Sequence, residues 1–381
     1  MVPLDFKYYF GEFMSNDISV YVPNRQIAEF ILPGHPDKLC DRIADRLVDE
    51  ACARDPKSLV GVEVALHQQV VLVTGCITTI PAMTISEVDD IVRQVFRNAG
   101  YDESWLAAES LRIDHDLRLE ELDDDLRELR SISDDQAICV GYAGGAREDR
   151  YLPKSHRLAY LAGQHMLAIR HQYGLGPDGK VIVTCDGENI EQVSISLHHH
   201  PDSDRREIFK MAWEVAQHIG LTDSNKLTVN GGGDFDVGGP WGDNGLSGKK
   251  LVVDAYGPHI SIGGGAWSGK DPHKIDRIGG LMARYLALYA VRIGLGSEAR
   301  VTLGWHPGDA SPSYTLLEVD GQIRKWELLG PIDCSIDGVW SLFRLGEVNF
   351  ADYADGSWFQ RSSPWDVLNR SERVERAEQN S

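Results

Sequence analysis

The sequence predicts an α+β protein built from three successive units. Helical and strand periods alternate along the chain with no low-complexity linker between them, and the pattern renews itself over stretches of roughly 100 residues. The length of 381 residues is enough to bury sizeable cores without disulfides or a structural metal. No internal sequence repeat accompanies the three units.

In the first unit, Leu39, Ile43, Leu47, Val48 and Ala51 fall at helical spacing over 39–52, with Pro56 shortly past the end. Val60, Val62, Val64 and Leu66 then alternate, and Val70 to Val73 with Ile77 continue them, which predicts a hairpin over 60–79. Thr84 and Glu87 make a capping-box pattern ahead of Val88, Ile91, Val92, Val95 and Phe96, and Gly100 stops that helix. The second unit carries a helix near 155–172, strands at 180–185 and 193–197, and a helix near 204–219. The third carries a strand at 251–255 and a helix over 274–293, with Ile275, Ile278, Leu281, Met282, Tyr285, Leu286 and Tyr289 on one stripe. Between the first two units, RIDHDLRLEELDDDLRELR is dense in acids and arginines and reads as a solvated helix or mobile loop.

Hydrophobic residues at 42% and charged residues at 25% are ordinary for a folded soluble chain. The 38 Lys and Arg against 58 Asp and Glu leave a net charge of −20, which repels nucleic-acid backbones and anionic membranes. Neither is expected as a partner. No stretch approaches the roughly 20 apolar residues that span a bilayer, and the opening residues, which carry Asp5, Lys7, Glu12 and Asp17, are not expected to act as an export signal. The six cysteines are scattered without C-x-x-C pairs, so a reducing cytoplasm is expected.

Positive charge is concentrated in GGPWGDNGLSGKK at 238–250 and GGGAWSGKDPHKID at 263–276, which bring Lys249, Lys250, Lys270 and Lys274 together in an acidic chain. Glycines let backbone N–H groups approach an anion and lysines add point charge, so the pair suits a polyphosphate; a plain surface turn is the alternative. Gly264, Gly269 and Lys270 match G-x-x-x-x-G-K, but Asp271 stands where a P-loop needs Ser or Thr. GHPDK at 34–38 opens a helix with Pro36 in its first turn. There His35 can touch phosphate, Asp37 can ligate Mg²⁺ and Lys38 can add charge, unless the segment is simply a capped helix start. Asp271 and Asp276 offer further oxygen ligands. His198, His199 and His200 end a strand before Pro201 and read as exposed turn residues. No G-x-S-x-G elbow and no G-x-G-x-x-G after a strand is present.

GHPDKLCDRIADRLVDE, GCITT, DDQAICVGYA, GGPWGDNGLSGKKLVVDAYG and GGGAWSGKDPHKIDR together resemble the successive signatures of S-adenosylmethionine synthetases. The resemblance covers about residues 27–370. It implies three intertwined α+β domains related by pseudo-threefold symmetry, with an N-terminal extension at 1–26, an N-terminal domain at 27–112, a variable active-site loop at 113–133, a central domain at 134–236, a C-terminal domain at 237–370 and a tail at 371–381. It also implies a homodimer, or a dimer of dimers, with shared active sites. In that family the sulfur of methionine attacks C5′ of ATP, and the released triphosphate is hydrolysed to phosphate and diphosphate. Two Mg²⁺ ions and a K⁺ ion serve the reaction.

Carried onto this chain, the resemblance places His35 at the triphosphate, Asp37 and Asp276 at magnesium and Glu63 at potassium. Asp135, Asp178, Lys180, Phe235, Lys249, Lys250, Ala266 and Lys270 fall at ATP, with His35, Lys180, Lys249, Lys250 and Lys270 doing the catalytic work. Asp243, Lys274, Pro307 and Cys76 fall at the acceptor. Several positions depart from the family: Asp134 and Ala137 replace glycines, Lys249 and Asp234 replace arginines, and His306 and Pro307 replace small or aliphatic residues. Cys76 replaces the glutamate of G-E-I-T-T, which helps hold the methionine ammonium, and 113–120 lacks the glutamine expected at the methionine carboxylate. A thiol with an ordinary pKa of about 8.5 cannot supply the missing charge at pH 7. An altered acceptor, hydrolysis of ATP or triphosphate, and a weakly active regulatory homologue are the competing expectations.

Overall fold

The computed structural model describes residues 24–366. The expected tail at 371–381, and the N-terminal extension except for its last residues, lie outside the described residues. In chain order the elements are β1 (Arg25–Ile31), α1 (Pro36–Arg54), β2 (Leu59–His67), β3 (Val70–Thr78), α2 (Ile85–Ala99), β4 (Arg112–Glu120), α3 (Asp124–Glu128), β5 (Ala137–Gly144), α4 (Lys154–Ile169), β6 (Gly179–Asp186), β7 (Asn189–Leu197), α5 (Arg205–His218), β8 (Leu227–Val229), β9 (Gly245–Leu246), α6 (Leu251–Ala255), α7 (Ile275–Arg292), β10 (Glu298–Trp305), β11 (Tyr314–Val319), β12 (Gln322–Arg324) and α8 (Ile336–Phe343).

The strands form three four-stranded sheets, ordered β4-β3-β2-β9, β1-β6-β7-β8 and β12-β11-β10-β5. Each is built on one hairpin, and the first strand of each hairpin receives an antiparallel strand from elsewhere in the chain: β9 on β2, β1 on β6 and β5 on β10. The three units therefore exchange edge strands in a cycle, which is the intertwined pseudo-threefold arrangement. The third sheet departs from the other two at one edge, where β12 runs antiparallel to β11 while β4 and β8 run parallel to their neighbours. One core joins the first and third sheets with α1, α2 and α7, and a second lies between β1, β6, β7 and helices α4 and α5.

Local chemistry explains the elements that were legible in the sequence. Thr84 accepts the Glu87 N–H while the Glu87 carboxylate accepts the Thr84 N–H at 2.7 Å, and Gly100 closes α2 with φ 95°. In α1, Leu39, Ile43, Leu47, Val48 and Ala51 are all fully buried, as their spacing predicts. Helix α7 is buried on almost every side, and Gly141 on β5 lets it come close, since a Cβ there would lie 1.9 Å from the Ala283 backbone.

Three expectations are corrected. Residues 251–255 form the short helix α6, not a strand. The β-branched run favours a strand, but a helical turn with Asp254 N–H bonded to the Lys250 carbonyl at 2.9 Å turns Asp254 inward to the buried Lys38. The acid-rich segment is neither helix nor loop over its first half: Arg112–Glu120 is a strand parallel to β3, with Ile113, His115, Leu117 and Leu119 on one side. His198 and His199 are buried, not exposed; Trp105 packs 4.4 Å from the His198 ring and stacks on His200 at 3.9 Å.

Candidate active site

His35 caps α1, and its Nδ1 accepts the Asp37 N–H at 3.1 Å. The acceptor role of Nδ1 leaves the ring proton on Nε2, which is buried, has no hydrogen-bond partner and sits 3.8 Å from an Asp243 carboxylate oxygen. Burial, with the charges of Lys180, Lys250, Lys249 and Lys38, pushes the imidazole pKa down to about 2. His35 is therefore a neutral N–H donor set in a cationic surround.

Asp37, two residues on, is also buried. Its Oδ1 accepts the Leu246 N–H at 3.0 Å, Lys249 Nζ lies 3.3 Å from Oδ1 and Lys250 Nζ 3.6 Å from Oδ2, and Oδ2 carries no hydrogen bond. Lys38 adds its charge to this surround, as its sequence position suggested, without lining the space itself. It is fully buried between Asp41, at 3.0 Å, and Asp254, while Asp41 also accepts the Gly248 N–H at 2.7 Å. Helix α1 and the loop that carries Lys249 and Lys250 are thereby held in register.

Lys180 enters from β6, paired opposite Ile31 of β1, and its Nζ stands 4.0 Å from the Asp243 carboxylate. Asp178 accepts the Gly239 N–H at 2.9 Å, its Oδ1 is unpartnered, and burial pushes its pKa up to about 6. Phe235 N–H donates to His199 Nε2 at 3.1 Å, and its ring lies 5.5 Å from His198. The buried histidines thus support Phe235 and Trp105; the apolar packing that buries them left no signal in the polar run.

The second glycine-rich segment forms a neighbouring cluster. The two segments meet where Gly248 faces Ala266, whose Cβ would be 2.5 Å from a Cβ on Gly248. Lys270 pairs with Asp276 and Lys274 with Asp134. Gly265 has room for no side chain, because a Cβ would lie 1.9 Å from Asp276 Oδ1. Asp271, a candidate oxygen ligand by sequence, is not available: it is buried against Arg130 and accepts the N–H groups of Val60, at 2.8 Å, and His273, at 2.9 Å. Asp135 accepts the Gln136 N–H at 2.8 Å, and the loop with His306 and Pro307 is tied to Ser133, which bonds Gly308 at 2.8 Å and Asp309 at 2.9 Å. Cys76 is half-buried with its Sγ 3.2 Å from Thr78 Oγ1. Glu63 accepts the Ser247 hydroxyl at 2.6 Å.

Among the described residues no group of three or more His, Cys, Asp or Glu side chains is arranged to hold a metal ion alone. Magnesium bound through a nucleotide needs only one or two carboxylates, the rest of its shell being phosphate and water. Asp37, with its buried Oδ2 free of hydrogen bonds and a lysine beside each carboxylate oxygen, fits that role; Asp276 fits it once Lys270 turns to phosphate. No helix among the described residues is long and apolar enough to cross a membrane.

The chain is similar to known proteins over most of its length. Residues 26–119 match the S-adenosylmethionine synthetase N-terminal domain and residues 237–366 the C-terminal domain. The S-adenosylmethionine synthase of Thermosynechococcus vestitus is 34% identical over 352 residues, covering 81% of this chain and 84% of its own. That of Mycoplasma pneumoniae is 29% identical over 376 residues, covering 92% and 95%. The solved structure described as an unusual S-adenosylmethionine synthetase from Campylobacter jejuni superposes with a TM-score of 0.81 at 25% identity, covering 92% of this chain and 99% of that one. The chain belongs to the S-adenosylmethionine synthetase family.

Proposed function

We propose that this protein transfers the adenosyl group of ATP to a sulfur nucleophile, with methionine as the acceptor that its family suggests. A sulfur lone pair attacks C5′, the C5′–O bond breaks with its electrons passing to oxygen, and a sulfonium and free triphosphate result. The triphosphate is then hydrolysed to phosphate and diphosphate. The observation that carries this reading is the His35 Nε2–H, buried and unpartnered within a ring of lysines. A neutral donor there binds the departing polyanion without needing to gain or lose a proton.

Lys180, Lys249, Lys250 and Lys270 surround the leaving group with positive charge, the electrostatic stabilisation such a step requires. Asp178 and Phe235 orient the nucleoside, with Asp135 and Ala266 at its margin, and Asp243, Lys274, Cys76 and Pro307 border the acceptor. Magnesium, held by Asp37 and Asp276, would supply charge to the phosphate oxygens, and potassium at Glu63 would support the loop through Ser247. The assembly proposed with this chemistry is a homodimer or a pair of such dimers; Leu72, Leu246, Ile27 and Ile182 expose apolar surface on the outer sheet faces. A cytoplasmic location accords with the free cysteines.

A different sulfur acceptor is the second reading, favoured by Cys76 and by His306 and Pro307. One experiment tests both: incubation with ATP, Mg²⁺, K⁺ and a panel of sulfur compounds, the products read by mass spectrometry. An adenosyl sulfonium is expected. ATP or triphosphate hydrolysis with no adenosyl product from any acceptor would replace the transferase reading by a hydrolase, and no turnover at all would leave a regulatory homologue.

A further inference from the structure

Strand pairing lines up four residues across the first sheet. Arg118 on β4 pairs with Cys76 on β3, Cys76 pairs with Gly61 on β2, and Gly61 is bridged to Lys270. Partners across a ladder share a face, here the outer one, since Val60, Val62 and Val64 are buried on the other. Strands lie ~4.8 Å apart, so the row spans about 14 Å from Arg118 to Lys270. Its middle is low: Cys76 is small, and a Cβ built on Gly61 would meet nothing within 4 Å. The row is a shallow trough with a cation at each end.

The Arg118 end carries a charge of each sign. Its guanidinium forks onto Glu120 through Nε at 3.2 Å and an Nη at 2.8 Å, and the two side chains are 72% and 51% exposed. An exposed pair of this kind stabilises the fold little, so its groups are free to re-pair. A forked guanidinium beside a carboxylate is complementary to an amino-acid zwitterion, which offers a carboxylate to the one and an ammonium to the other.

We propose that Arg118 and Glu120 read the α-carboxylate and α-ammonium of the acceptor, whose sulfur then lies over Cys76 and Gly61, aimed toward Lys270. The assignment rests on the adenosyltransferase reading above and adds which side chains of this chain hold the charged end of the acceptor, Arg118 and Glu120 of β4 rather than the residue at position 76. It also accounts for the neutral thiol at Cys76, because the carboxylate missing there is supplied from Glu120, whose ladder partner Thr78 is two residues along β3.

The test compares L-methionine, its methyl ester and its N-acetyl derivative as acceptors for the full chain with ATP, Mg²⁺ and K⁺. Wild type should discriminate against both derivatives. Arg118→Ala should raise KM for methionine about ten- to a hundredfold without a matching rise in KM for ATP, and should lose the discrimination against the ester. Arg118→Lys, which keeps the charge but not the fork, should recover part of the loss. Glu120→Gln should lose the discrimination against the N-acetyl compound. Equal use of methionine and its ester by wild type, an unchanged methionine KM in both variants, or KM rises shared equally with ATP would each overturn the assignment while leaving the transferase intact. Absence of adenosyl product from wild type with every sulfur compound would overturn the transferase reading itself, before any variant is made.

Discussion

Lys38 on α1 and Asp254 on α6, 216 positions apart, form an ion pair closed to solvent on both sides, with Asp41 as its third member. Burial alone would push the Asp254 pKa up and the Lys38 pKa down; pairing keeps Lys38 charged. Lys38→Met removes the cation paired to two buried carboxylates, leaving an uncompensated charge that costs about 3–5 kcal/mol. Chemical denaturation should show that loss. Because Asp41 also holds the Gly248 N–H, the variant should loosen the lysine loop as well, raising KM for ATP. A midpoint within error of wild type would mean the triad contributes nothing.

Lys270 and Asp276 form an ion pair, and both face the proposed triphosphate. Lys270→Ala should lower kcat by about 10²-fold or more, since a charge that acts on the leaving group acts chiefly in the transition state. Asp37→Asn should lower kcat as strongly and raise the Mg²⁺ concentration required, because the amide keeps the Leu246 contact but loses the charge at Oδ2. Steady-state kinetics over a magnesium titration measures both. Wild-type rates in either folded variant would remove the triphosphate from this site.

Asp178 has a folded-state pKa of about 6, raised chiefly by burial and partly offset by the Gly239 and Gly179 N–H groups and Lys180, with Asp243 opposing. A raised carboxyl pKa means the native state holds its proton longer than the unfolded chain, so this residue's contribution to stability falls as pH rises from about 4 to about 6 and is constant above. Function runs the other way. Below about pH 6 the protonated carboxyl loses the charge with which it is proposed to orient the nucleoside, and KM for ATP should rise. Asp178→Asn should flatten that limb, and an unchanged profile in the variant would assign it to another group.

Much of the scaffold was legible because it is local: caps, alternation and helical stripes fix α1, α2, β2, β3 and α7 from neighbouring residues. Strand β4 was obscured because Asp114, Asp116, Arg118 and Glu120 crowd its outer face, although Ile113, Leu117 and Leu119 keep the period of two. At 251–255 a β-branched run gave way to one long-range requirement, the carboxylate that Lys38 needs. The motifs located His35, Asp37 and the lysines, whereas the row from Arg118 to Lys270 depends, beyond the β2–β3 hairpin, on two pairings between segments distant in the chain, Arg118 with Cys76 and Lys270 with Gly61. Cys76 reads as a missing charge in the sequence; the proposed replacement, Glu120, lies two positions along β4 from its ladder partner Arg118.

Cys76 offers the sharpest discrimination. If Arg118 and Glu120 read the acceptor, Cys76→Glu places a second carboxylate directly opposite Arg118. The new side chain competes for the guanidinium and sets a like charge near Glu120, so KM for methionine should rise, by about tenfold if one charge-assisted hydrogen bond is lost. If the ammonium instead lies at position 76 itself, the same substitution restores a counter-charge and KM should fall by a similar factor. Cys76→Ser separates charge from shape, since it is small and neutral and should behave like wild type in both cases. The sign of the change in Cys76→Glu therefore decides between a relocated zwitterion site and a weakened original one. A KM equal to wild type would place the acceptor away from Cys76 and away from the Arg118 end of the trough.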